Sequence, residues 1–227
     1  MFKVKDIPIF TTNNGVASLI FNQIPYSGIA YIRMQSTLSP KELLEECVDC
    51  CIAAGAEAVY ATGENWLERF PFVTSVISMN CVDPIFPDTD AYTVPAKDES
   101  IVDFSQIYNT AMAAIPNAAC MSINELRKLL QKECCYYVIL EDQIIGIGIA
   151  SGSYLDTIVS LEKGKGLDVL AALYAVMEKG PIWVEVASAN TRAVHFFSKC
   201  GFVQDRIISK WYKVFSVKEK DLTNIKI

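Results

Sequence analysis

The chain has one histidine, His195, no surplus of positive charge and no apolar run fit to cross a membrane. With a single histidine, a zinc site would need mostly cysteines at ribbon-like spacing, and Cys47-x-x-Cys50-Cys51 has no second pair to complete it. Lys and Arg number 20 against 26 Asp and Glu, a net charge of −6. That balance argues against a general nucleic-acid surface, although a local basic loop can still meet a phosphate. The longest uncharged run, Phe104 to Asn124, contains Gln106, Pro116 and three asparagines and is a poor membrane span. Met1-Phe-Lys-Val-Lys-Asp lacks the apolar core and cleavage site of a signal peptide, so a cytoplasmic location is expected.

What is present is apolar. Of 227 residues 52% are hydrophobic, enough for one large core or two small ones. The eight cysteines, Cys47, Cys50, Cys51, Cys81, Cys120, Cys134, Cys135 and Cys200, lie in apolar segments and read as reduced core residues. His195 reads as a residue on a helix surface.

The most informative stretch is Ile158-Val-Ser-Leu-Glu-Lys-Gly-Lys-Gly-Leu-Asp-Val169. A β-branched strand stops at a Lys/Gly loop and enters a helix whose apolar positions Val169, Leu170, Leu173, Val176 and Met177 share one face. Amides at a helix start are unpaired and lie at the positive end of its dipole, so this loop suits a pyrophosphate.

Gly28 to Met34 and Glu57 to Thr62 read as parallel strands joined by a helix that opens at Ser39-Pro40-Lys41-Glu42 and ends at Gly55. Gly55 to Asn65 matches Gly180 to Asn190 in pattern, an offset of 125 without a gap. At that offset Gly164 and Gly166 fall on Ser39 and Lys41, so the first half has no glycine loop for phosphates. Phe70 to Pro95, with four prolines, reads as irregular strand and linker, which puts a boundary near residue 90.

The second half reads as strand 91–97, helix 103–115, a capping box at Ser122-Ile-Asn-Glu125 opening a helix to about 133, and a hairpin of 135–140 with 143–150. Strand 154–161, helix 167–179, strand 182–187, helix 191–200 and a closing hairpin over 206–215 follow.

This order, with Lys163-Gly-Lys-Gly-Leu167 and Asn190-Thr-Arg-Ala-Val-His-Phe-Phe-Ser-Lys-Cys-Gly-Phe202, resembles the GNAT superfamily of acyl-CoA-dependent N-acyltransferases. The resemblance covers about residues 91 to 215. It implies an α/β chain with the GNAT fold, a mixed central sheet flanked by helices, preceded by a truncated GNAT-like half. Residues 1–90 would be a degenerate GNAT-like domain and 91–227 a GNAT N-acetyltransferase domain.

The resemblance also implies acetyl-CoA as co-substrate and no metal. Its pyrophosphate would sit on Lys163, Gly164, Lys165, Gly166, Leu167 and Asp168, and its pantetheine arm would run past Ile158 and Val159 between the strands 156–160 and 183–187. Asn190 and Phe197 belong to the second motif. Two positions depart from the family pattern. Asp168 replaces a small residue: a carboxylate about 5 Å from phosphate costs roughly 1 kcal/mol in water and roughly 3 at an effective dielectric of 20. Alternatively its side chain aims away and complements the helix dipole. Phe197 stands where many members carry a tyrosine thought to protonate the departing thiolate, a fair leaving group without it at a pKa of about 8.5.

A lysine-like amine must lose its proton before attack, at a cost of about 4.6 kcal/mol at pH 7, whereas an α-amine needs about 1. Asp156, sharing a face with Tyr154 and Ile158 by the period of two, is the first candidate base, and Glu185 the second. The alternative for each is a solvated strand carboxylate. The implied activity is acetyl transfer to a primary amine of a small molecule or peptide, with neither nucleic acid nor membrane as partner and a homodimer left open. The competing reading is a non-catalytic GNAT-like sensor or interaction protein in which Asp168 and Phe197 mark lost chemistry.

Overall fold

The computed structural model describes residues 8–115 and 117–217. Within these, two compact units form: residues 8–75 with 209–217, and residues 76–208.

The first unit begins with a hairpin of β1 (Ile9–Thr12) and β2 (Gly15–Ile20), turned at Asn13-Asn14. Gly15 has φ +147, and a Cβ there would strike the carbonyl of Ser36, so the turn needs glycine. After the short α1 (Ile24–Ser27), β3 (Ile29–Thr37) pairs antiparallel with β2. Helix α2 (Pro40–Ala53) then crosses to β4 (Ala58–Thr62), which lies parallel to β3 as the sequence predicts. Leu43, Leu44, Cys47 and Cys51 of α2 pack on Ala17, Leu19, Ile32 and Val59. Proline opens α2 as expected, but the Ser39 hydroxyl makes no capping bond. The Ser39 amide instead donates to the carbonyl of Asn14. Burial pushes the Cys47 and Cys51 thiols up to about 12.

The second unit holds most of β5 (Phe72–Cys81), then β6 (Tyr92–Pro95), α3 (Ile101–Ala113), α4 (Ile123–Leu130), β7 (Cys135–Leu140), β8 (Gln143–Ser151) and β9 (Tyr154–Ser160). Helix α5 (Gly166–Tyr174), β10 (Ile182–Ala187), α6 (Thr191–Lys199) and the start of β11 (Val203–Ser216), as far as Ile208, complete it. Within this unit the strand order β5-β10-β9-β8-β7-β6 makes a mixed sheet in which only β9 and β10 run parallel. Helices cover both faces. Val169, Leu170 and Leu173 of α5 and Phe197 of α6 pack with Leu155 and Val184 on one side. Phe104 and Tyr108 of α3 and Leu126 and Leu129 of α4 pack with Ile147 and Ile149 on the other.

Hairpin β7–β8 turns at Glu141-Asp142, both in the left-handed region at φ 50 and 61. The capping box forms as predicted: the Glu125 amide donates to the Ser122 hydroxyl at 3.3 Å and the Ser122 amide donates to Glu125 Oε2 at 2.8 Å. Each unit repeats one succession, a three-stranded meander followed by a helix and a parallel strand: β1-β2-β3-α2-β4 and β7-β8-β9-α5-β10.

Three expectations are corrected. Phe72–Cys81 is a regular ten-residue strand rather than an irregular one; Thr74, Ser75 and Ser78 are buried in it and hide its pattern. The closing hairpin is instead the single strand β11, which meets no glycine, proline or asparagine to turn on. Helix α5 stops at Tyr174, earlier than the apolar period suggests, where the Glu178 amide turns to the carbonyl of Gly152. The compact units part between Ser75 and Val76, within β5, and the last strand's end, from Ser209, belongs with the first unit.

Candidate functional site

Strands β9 and β10 pair only at Tyr154 with Trp183 and Leu155 with Val184. Beyond that point they part, although β10 remains paired with β5 from Ile182 to Ala187. The edges of 156–160 and 185–187 that face each other therefore carry no ladder bonds between them. At the same offset of 125 in the first unit, β3 and β4 pair at five successive positions, from Ile29 with Ala58 to Arg33 with Thr62. One parallel pair is zipped and the other opens.

The cause of the opening lies in β9. Ile149 opposes Thr157 and Ala150 opposes Leu155, so Asp156 is an extra residue on the β9 side, a bulge that bends its strand and increases its twist. The bulge also corrects the expected face. Tyr154 and Asp156 share a side, but Thr157 follows Asp156 onto it, and Ile158 turns to the opposite side, where it packs with the α5 core. Val159 packs against the α3–α4 core.

Just past β9, the turn 161–165 leads into α5. Gly164 has φ +91 with nothing within 4 Å of where a Cβ would stand, and Lys163 beside it is exposed. Lys165 occupies the N-cap position without a side-chain capping bond. The Val169 amide donates to the carbonyl of Lys165, which leaves the amides of Gly166, Leu167 and Asp168 without acceptors among the described residues. A ring edge of Phe196 lies 3.1 Å from a Cβ built on Gly166, so α6 backs this terminus. Three free amides, an open glycine and two lysines fit a diphosphate.

Asp168 does not enter the cradle. Thr89 donates its hydroxyl to Asp168 Oδ1 at 2.6 Å, and Lys165 Nζ lies 4.0 Å from Oδ2. Of the two readings of this residue, the geometry shows the side chain held away in the first helical turn. Asp168→Asn is accordingly expected to change the affinity of this terminus for a diphosphate less than about threefold by titration. A carboxylate facing phosphate would instead yield up to about a hundredfold gain on neutralisation.

Of the candidate bases, Asp156 stands at the bulge and Glu185 is the next residue of β10 after its last pair with β9. Ile182, Val184 and Val186 face the α5 core, so alternation turns exposed Glu185 to the α3 side, the side of Asp156. The Asp156 charge is felt by the Tyr108 phenol, which burial first and Asp156 further push up.

Tyr108 and Asn109 were not singled out by their sequence. Tyr108, 3% exposed, donates its hydroxyl to the carbonyl of Ala119 at 2.8 Å. The Asn109 amide group accepts from Met121 N at 2.8 Å and donates to Met121 O at 2.9 Å. The signal available was Tyr108 four residues after Phe104, on the apolar stripe of α3.

Asn190 caps α6, its Oδ1 accepting from the Ala193 amide at 3.2 Å. Phe197 is 4% exposed, stacked edge-on with Phe196 and Phe202. It brings no hydroxyl to the site. All eight cysteines are free and seven are buried. Among the described residues no group of three or more His, Cys, Asp or Glu is placed to hold a metal ion, and no helix is long and apolar enough to cross a membrane.

No protein-family model and no curated protein matches the chain. Solved structures do. A functionally unknown protein from Staphylococcus epidermidis matches 92% of this chain and 93% of its own at TM-score 0.55 and 13% identity. A GCN5-related N-acetyltransferase from Sphaerobacter thermophilus matches 87% of this chain and 76% of its own at TM-score 0.55 and 13% identity. Another from Kribbella flavida matches 90% and 58% at TM-score 0.57 and 11% identity. A mixed sheet flanked by helices thus has solved counterparts: the chain has the fold of the GCN5-related N-acetyltransferases.

Proposed function

We propose that the second unit transfers an acetyl group from acetyl-CoA to a primary amine. The observation that carries this reading is the parallel pair that stops after Leu155 and Val184, with the free amides of Gly166, Leu167 and Asp168 just beyond. Gly166 to Asp168, Lys163 and Lys165 would hold the diphosphate. The unpaired edges of β9 and β10, at Ile158 and Val159 on one side, would bond the amide-bearing arm through backbone.

Acetyl-CoA supplies the activated thioester. The protein's part is to hold that group beside an amine and to accept the amine's proton, at Asp156 or Glu185 directly or through water. A C–N bond forms as the C–S bond breaks, and the sulfur leaves as thiolate. With Phe197 in place of a hydroxyl, the thiolate takes its proton from water.

The test is thermal. At 100 times its dissociation constant, acetyl-CoA stabilises the folded chain by about 2.7 kcal/mol, a Tm rise of about 5–10 °C for a chain of this size. Acetate at the same concentration gives none. Absence of a rise with acetyl-CoA contradicts the reading, and a rise without thiol release in a screen of primary amines moves it to the ligand-sensing alternative.

A further inference from the structure

The segment 82–91, between β5 and β6, runs along α5 from its last residue to its first turn. The Ile85 amide donates to the carbonyl of Cys200 at 3.2 Å, the Phe86 ring centre lies 5.0 Å from that of Tyr174, and the Thr89 hydroxyl donates to Asp168 Oδ1 at 2.6 Å. The Ala91 amide donates to the same hydroxyl oxygen at 3.2 Å, which leaves the Thr89 proton for the carboxylate. Asp168 is the third residue of α5, and its side chain is 19% exposed. An acidic side chain at that position can reach back to the unpaired amides of its own first turn, where the positive end of the dipole attracts it. Here it does not: the amides of Gly166, Leu167 and Asp168 have no acceptor among the described residues, and the carboxylate is bonded to the segment before β6 instead.

We propose that Thr89 is a positioning residue for the diphosphate: it holds the Asp168 carboxylate off the α5 amides and so keeps the anion site open. The inference rests on the acyl-CoA reading of that site. Without the Thr89 hydroxyl, a largely buried carboxylate oxygen loses its donor and must find another. Lys165 Nζ, 4.0 Å from Oδ2, lies beyond hydrogen-bond length and does not replace it. The unpaired donors on the same helix are the amides that receive the diphosphate, and a carboxylate seated on them must be displaced before the ligand binds.

Titration of acetyl-CoA into the whole chain and its variants reads this directly. Thr89→Val is expected to weaken affinity about tenfold, on the scale of one hydrogen bond to a charged group. Thr89→Ser, which keeps the hydroxyl, stays within about twofold of the wild type. In Thr89→Val with Asp168→Ala the affinity returns to within about threefold of the wild type, because no carboxylate remains to restrain. A hydroxyl that merely supported the fold would leave the double variant as weak as the single one. In ligand-free Thr89→Val, the amide protons of Leu167 and Asp168 also move downfield in NMR spectra, the mark of a new hydrogen bond. Wild-type affinity in Thr89→Val, or a loss that Asp168→Ala does not repair, overturns the proposal. A wild type that acetyl-CoA does not bind overturns the acyl-CoA reading itself and this proposal with it.

Discussion

Asp156→Ala is expected to lower kcat toward a lysine-like amine by about 10²- to 10⁴-fold at pH 7, the range of a positioned general base. The expectation comes from where the bulge puts the carboxylate. As the extra residue of β9, Asp156 stands where the parallel strands part and on the α3 side, the side to which Glu185 also turns. An amine of pKa about 10.4 reaches its neutral form at pH 7 only against roughly 4.6 kcal/mol, so it depends on a base far more than an α-amine of about 7.7 does. The loss should therefore be smaller for α-amines, and raising the pH toward 10 should restore much of the rate for lysine-like ones. A rate unchanged in Asp156→Ala and lowered in Glu185→Ala would transfer the role to the second carboxylate.

Gly146→Val is expected to destabilise the chain by about 3 kcal/mol or more and to lower Tm by roughly 6–12 °C. A Cβ on Gly146 would stand 2.5 Å from the carbonyl oxygen of Val159 and 2.7 Å from Val169 Cγ2. The first of these is backbone and cannot rotate aside. The second belongs to the first buried turn of α5, so relieving the clash pushes either β9 or the helix that carries the free amides. Gly148, whose Cβ would run into the Leu173 side chain, lies under the same helix. Two glycines in β8 thus let α5 settle directly on the sheet. Loss of the acetyl-CoA-induced Tm rise should accompany the destabilisation; a wild-type melting curve would contradict this packing.

The sequence carried the elements whose chemistry is local. Asn190 and Pro40 mark helix starts, Glu141-Asp142 marks a turn, and the β-branched runs of β9 and β10 mark strands. The parallel pairs and the repeated succession followed from these. What it hid depends on partners far along the chain. The bulge at Asp156 exists only in the register between β8 and β9, and one extra residue is enough to move Ile158 to the other face. In β5 the buried hydroxyls of Thr74, Ser75 and Ser78 blur the alternation. Along β11, Val203 to Ile208 are exposed on successive residues, so no period of two appears. Tyr108 falls on the apolar stripe of α3, but Asn109 looks like helix surface in sequence and is buried where it bonds Met121.

The opening between β9 and β10 is tested most directly by a crystal structure of the chain grown with acetyl-CoA. The diphosphate should lie within hydrogen-bond distance of the amides of Gly166, Leu167 and Asp168, with the arm between the parted strands, Asp168 still bonded to Thr89, and the zipped pair β3–β4 unliganded. Coenzyme bound elsewhere, or an Asp168 carboxylate turned onto those amides in its place, would contradict it.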